Sequence, residues 1–201
     1  MVYCDSLDTS VPKSVACMDV IRARDLRARG VSAHHMRQLI RRGALVRLAR
    51  GLYRPAHAPV TEHQSLLEAC ARVPRGVVCL LSALRFHELT TQNPPEIWLA
   101  LPAGARTPRE PMLPLRVVHV SPATYAAGIE VHPIGGAELR VYDAAKTVAE
   151  CFKFRNTIGV DVAIEALRDY WRQRRSVDAL WRYATLCRVT NVIRPYLEAI
   201  V

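Results

Sequence analysis

Residues 32–55 read SAHHMRQLIRRGALVRLARGLYRP, with six arginines, two histidines and no carboxylate. Charges of one sign can be packed this densely only if they all leave the core. The apolar residues must therefore separate onto an opposite face. At about 100° per residue, Met36, Leu39 and Ile40 fall together at i, i+3, i+4, and His34, Arg37, Gln38, Arg41 and Arg42 fall on the other side. Ser32 is a natural N-cap and Gly43 a natural stop, which predicts a helix over 33–42. Upstream, CMDVIRARDLRARG reads as a short helix ending at Gly30, and GVS as a tight turn. Downstream, Val46 and Leu48 alternate with Arg47 and Ala49, the period of a half-buried strand, with a hairpin tip at Arg50-Gly51. Helix, turn, helix, hairpin is the order of a winged helix-turn-helix, expected over 14–54.

The location of the charge says what such a unit is for. The chain carries a net charge of +10. Residues 20–54 hold ten arginines and one acid, Asp25, whereas residues 1–19 sum to −2 and residues 55–201 to +3. A local excess is a binding footprint, and a diffuse one would suggest only solubility. An ordinary solvated helix mixes signs, because opposite charges at i, i+4 support each other. The partner expected here is double-stranded DNA. Arg forms two parallel bonds to guanine and Gln does so to adenine, so His34, Arg37, Gln38 and Arg41 are the expected base contacts. Arg42, Arg47, Arg50 and Arg54 are the expected phosphate contacts, since a wing tracks the backbone.

The rest of the chain changes texture at PAHAPV, residues 55–60, which read as a linker. Thr61 and Gln64 then offer a capping box for a helix over about 62–72. CLLSALRFHEL reads as another helix. Short β-rich runs follow between prolines: EIWLAL, LRVVHVS, IEVHPI and ELRVYD. From 143 the pattern is helical, over about 144–155, 160–175, 177–188 and 191–200, with Pro195 inside the last. The expected fold class is α+β: the winged helix-turn-helix, then an α/β domain over 61–201 with a small sheet and terminal helices.

Catalytic patterns are weak, and no enzyme is expected. Ser82 lacks a G-x-S-x-G elbow, and His87, five residues on, points elsewhere on a helix. IGGAELRVYD has a glycine pair but only Asp143 where nucleotidyl transfer needs two carboxylates; Asp143 reads better as an N-cap. No phosphate-cradling G-x-x-x-x-G-K-[ST] occurs. His119 and His132 sit on expected strands without ligand spacing. The cysteines, at 4, 17, 70, 79, 151 and 187, form no C-x-x-C pair and read as reduced small hydrophobes. No metal, cofactor or membrane span is expected. The N-terminus lacks a basic region followed by an apolar one, which points to the cytoplasm. On the helix 160–175, Ala163, Leu167, Tyr170 and Trp171 face a core, and Arg168, Arg172 and Arg175 form a stripe opposite.

Three segments carry a resemblance. ARDLRARGVSAHHMRQLIRRGALVRLARGLYR resembles the N-terminal part of the AbiEi-type antitoxins, regulators tied to viral defence. VVCLLSALRFHELT resembles that family's mid-chain helix, and VYDAAKTVAECFKFRNTIGVDVAIEALRDY its most distinctive segment. The resemblance runs from about residue 20 to 175. It implies an autoregulating repressor that binds its operator and whose C-terminal domain counters a nucleotidyltransferase toxin. The basic residues Lys153, Arg155, Arg168, Arg172 and Arg175 are the expected antitoxin surface. The alternative is a stand-alone winged-helix regulator whose C-terminal domain senses a small molecule, with an apolar pocket expected in the 91–142 sheet.

Overall fold

The computed structural model describes residues 20–49, 51–58, 62–107, 113–134 and 137–200. They form an α+β fold with two small sheets. The chain divides into two compact units. One runs to Pro74 and takes in His132–Leu139; the other holds Arg75–Val131 and Arg140–Val201.

The first unit is built on β1 (Ile21–Arg22), α1 (Ala23–Ala28), α2 (Ala33–Arg41), β2 (Leu45–Ala49), β3 (Leu52–Pro55) and α3 (Gln64–Arg72). The strands pair antiparallel in the order β1-β3-β2. Helix α1 closes by a Schellman turn. Gly30, at φ 82°, donates to Arg27 O at 2.9 Å, and Val31 donates to Leu26 O at 3.0 Å. Only a residue without a Cβ takes that left-handed conformation cheaply, so Gly30 sets the turn. Helix α2 starts where Ser32 Oγ accepts from His35 N at 3.1 Å and closes by the same device through Gly43 and Ala44. Two identical closures, at Gly30 and Gly43, aim both helices at one core, made of Ile21, Leu26, Val31, Met36, Leu39, Ala44 and Leu45.

Two expectations need correction here. Val46 does not face inward; it is 41% exposed, while Leu45 is buried. A register shift between Arg47 and Ala49 breaks the simple alternation on β2. The first unit also continues past 55–60. Arg72 of α3 donates to Leu48 O at 2.6 Å while pairing with Glu68, 2.5 Å away, so α3 is tied to the hairpin. Thr61 of the expected capping box lies outside the described residues, and His63 takes the N-cap position without a side-chain bond.

The second unit holds β4 (Val77–Val78), α4 (Leu80–Phe86), β5 (Ile97–Pro102), β6 (Leu115–Val120), α5 (Pro122–Ala126), β7 (Ile129–Ile134), β8 (Ala137–Tyr142), α6 (Ala144–Lys153), α7 (Arg155–Ile158), α8 (Val160–Arg172), α9 (Val177–Cys187) and α10 (Thr190–Glu198). The tips of β7 and β8 group with the first unit. The mixed sheet runs β6-β5-β4-β8-β7, parallel between β5 and β6 and between β4 and β8. All four expected strands are present; β4, α5 and the single-turn α7 are additional. Helix α6 is buried from Ala144 to Phe152 and packs against α4, α8 and α9. Asp143 Oδ1 caps it, accepting from Lys146 N at 2.8 Å.

Three buried polar side chains, Lys146, Thr147 and Glu150, lie on α6 itself. Lys146 is fully buried, and its Nζ donates to Thr124 O and, at 2.6 Å, to Ala127 O. Tyr142 Oη donates to Tyr125 O at 3.1 Å. These bonds satisfy carbonyls at the C-terminal end of α5, a five-residue helix that could not close them itself. Lys146 Nζ also lies 3.7 Å from Glu150 Oε1 and 3.1 Å from the centroid of the Tyr142 ring. Gly128, at φ 65°, passes so close that an added Cβ would lie 2.6 Å from Asp143 Oδ2 and 2.9 Å from Tyr183 Oη.

Candidate nucleic-acid interface

Helix α2 presents the candidate reading surface. Met36 and Leu39 go into the core, with Ile40 half-buried beside them. That sorting leaves His34, Arg37, Arg41 and Arg42 exposed and Gln38 half-buried. Arg37 Nε donates to Ala33 O at 3.3 Å, which anchors the inner end of an exposed guanidinium. The Gln38 amide lies 3.0 Å from His34 Nε2, an i, i+4 hydrogen bond that orients both groups. His34, Arg37, Gln38 and Arg41 therefore share one outward face. No acid lies on it, and the helix's first turn has none either.

The hairpin residues differ among themselves. Arg47 is exposed on β2. Arg50 lies outside the described residues. Arg54 pairs in register with Val46 and is half-buried; its Nε is enclosed without a hydrogen-bond partner. Part of Arg54 is thus committed to the fold, a feature the alternating pattern did not reveal. Arg24, Arg27 and Arg29 on and just after α1 are also exposed and had not been singled out. Arg24 lies 3.5 Å from Asp25, the only acid of the segment.

The expected antitoxin residues do not form one stripe. Arg168 and Arg172 line a single cleft with Trp171 and Tyr196. Arg175 folds onto its own unit, donating from Nε to Gln173 Oε1 at 2.7 Å and from a terminal nitrogen to His87 O at 3.4 Å. Arg155 donates to Phe152 O at 2.9 Å, and Lys153 is exposed at the end of α6.

The remaining polar candidates are held by structural bonds. Ser82 Oγ accepts from Trp98 N at 3.0 Å, and His87 Nε2 donates to Tyr142 O at 2.7 Å, so the two are not a catalytic pair. Burial lowers the pKa of His87 and favours that neutral donor. His119 Nε2 bonds Ala105 O at 2.9 Å. Cys70, Cys79, Cys151 and Cys187 are buried, reduced thiols; burial pushes Cys79, Cys151 and Cys187 above the usual thiol range. Among the described residues, no group of three or more His, Cys, Asp or Glu could hold a metal ion. No described helix is long and apolar enough to cross a membrane.

Sequence reasoning quoted the segment around Lys146 but missed what it does. Burial lowers the Lys146 ammonium from its ordinary range and raises the Glu150 carboxyl, each opposed by the other's charge. The signal was available: a Lys and a Glu at i, i+4 on a helix whose other residues, Thr147 and the terminal Lys153 aside, are Ala, Val, Cys and Phe.

No curated protein matches the chain. The segment 141–170, the most distinctive part of the resemblance, lies outside the residues that a family model matches. That match covers residues 18–56, from just before β1 to just after β3, and its model is that of a transcriptional regulator, the AbiEi antitoxin, the family this sequence resembles.

Proposed function

We propose that this chain is a sequence-specific DNA-binding repressor of the AbiEi antitoxin type, whose first unit works as a winged helix-turn-helix. One observation carries the reading. Helix α2 turns Arg37, Arg41 and Arg42 outward beside the bonded pair His34–Gln38, with no acid on the same face. Such a helix fits the width of a major groove, and its outer groups match base edges. Arg47 and Arg54 of the hairpin strands, with Arg50 between them in sequence, contact phosphates and set the register. The protein acts as a regulator and not as an enzyme. Its second role, countering a nucleotidyltransferase toxin, falls to the second unit, and Lys153, Arg155, Arg168 and Arg172 are its candidate contacts.

The test compares the promoter of the chain's own gene with a random duplex of equal length. Arg37→Ala and Arg41→Ala should each weaken promoter binding by about 1–3 kcal/mol and random binding little. Equal losses on both duplexes would show that α2 does not read bases.

A further inference from the structure

The cleft between α8 and α10 has the composition of a ligand site. Its volume is about 520 Å³, within the roughly 300–1,000 Å³ of small-molecule pockets. Ile164, Arg168, Trp171 and Arg172 are spaced so that they share one face of α8, and Tyr196 and Ile200 rise from the end of α10. The cleft therefore combines an apolar floor, two aromatic rings and two guanidinium groups. The Tyr196 ring packs on Phe152, with centroids 5.5 Å apart, which fixes one wall. Arg172 is held by Asp169 at 3.0 Å, which sets its guanidinium in place and cancels much of its charge. Arg168 is exposed, and among the described residues no hydrogen bond or ion pair holds it.

We propose that this cleft binds a nucleoside monophosphate. The base stacks between Trp171 and Tyr196, and the phosphate meets Arg168, with Arg172 at its edge. Aromatic faces accept any base, and a guanidinium fork matches phosphate geometry in two parallel bonds. The size favours one nucleotide over an acidic peptide, which needs a longer groove. This site lies in the second unit and does not rest on the DNA reading of the first. It gives chemical content to a small-molecule-sensing regulator, with the pocket among the helices and not in the sheet.

The experiment is calorimetric titration of the full chain with each of the four ribonucleoside 5′-monophosphates, with adenosine and with inorganic phosphate. At least one monophosphate should bind saturably, and at least about tenfold more tightly than adenosine or phosphate alone. Arg168→Ala should weaken it about tenfold, as expected for loss of a charge-assisted bond. Trp171→Leu should weaken it comparably, whereas Trp171→Phe, which keeps a ring and fills the same wall, should stay within about threefold. The double variant Arg37→Ala, Arg41→Ala should bind as the parent does. The proposal is overturned if no monophosphate saturates, or if Arg168→Ala leaves binding unchanged. It is equally overturned if the Arg37, Arg41 variant abolishes binding, which would place the nucleotide on the DNA-reading helix. Tighter Arg168-dependent binding of hexathymidylate than of any monophosphate would replace a free nucleotide with a strand.

Discussion

Gly30 and Gly128 both take left-handed backbone, for different reasons. Around Gly30 an added Cβ meets nothing within 4 Å, so Gly30→Ala introduces only backbone strain, about 1–2 kcal/mol. At Gly128 the same methyl runs into the Asp143 carboxylate and the Tyr183 hydroxyl, groups held in place by the N-cap of α6. Gly128→Ala should therefore cost more than Gly30→Ala in urea unfolding, and the reverse ranking would mean that the Asp143 cap yields easily. A second residue-scale consequence concerns the buried pair. Burial raises the Glu150 carboxyl from 4.5 to about 7 in the folded state. A raised pKa stabilises the fold below the unfolded value, and that stability is lost as pH rises through the folded one. Lys146 is lowered from 10.5 to about 8, so its contribution is present above 10.5 and lost as pH falls through about 8. Both effects place the costliest window near neutrality, where both groups are charged. Unfolding free energy should accordingly fall between about pH 4.5 and 7 in the parent. Glu150→Gln, which keeps this side chain neutral at every pH, should lose that slope and be at least as stable as the parent at pH 7, since Lys146 keeps its bonds to Thr124 O and Ala127 O. A parent whose stability is flat over pH 4.5–7 would show that the Glu150 carboxyl is not raised.

At the level of elements, the helices were legible because their ends carry local chemistry. Ser32, Gly30 and Gly43 are a cap and two stops, and each acts within four residues, so the sequence exposes them directly. Asp143 before α6 is the same kind of signal. The face of α2 was legible from periodicity, since Met36 and Leu39 bury at the expected spacing. What escaped depends on partners distant in sequence. Val46 faces outward and Leu45 inward, and which face of β2 is covered depends on its pairing with β3 and on the core beneath, not on its own alternation. Strand β4 has only two residues and exists through β5 and β8, so no period could reveal it. Arg175 looked like the end of a surface stripe, but His87 O, from another element, takes its guanidinium. Arg72 shows the same limit: a basic residue near the end of a helix, spent on Leu48 O and Glu68. Arg72→Ala should loosen α3 from the hairpin and leave Glu68 half-buried without its partner, lowering the unfolding free energy by a few kcal/mol. Thermal unfolding would check this, and an unchanged midpoint would mean that α3 is held by its apolar face alone.

The charge of the whole molecule is unevenly shared, and that makes its two tasks separable in solution. Residues 20–54 carry +9 and the 147 residues after them +3, so electrostatic attraction to a duplex acts mainly on the first unit. Neutralising about six phosphates releases their counterions and gives a slope of log K against log salt near −5. Arg47→Ala removes one exposed, proposed phosphate contact and should flatten that slope by about one unit on promoter and random duplex alike. Arg168 and Arg172 sit in the cleft of the second unit, where Asp169 already offsets Arg172. Reversing both, Arg168→Glu with Arg172→Glu, should leave the salt slope unchanged and promoter affinity within about twofold, since sites without shared partners act independently. If the second unit counters a toxin through this face, the same double variant should lose protection of growth when that toxin is expressed, while Arg37→Ala with Arg41→Ala keeps it. Anisotropy titrations over a salt series, run beside the growth assay, read both outcomes on full-length protein. A slope that falls by two units in the Arg168, Arg172 variant would show that the second unit also lies on the duplex, and the division of tasks would then be wrong.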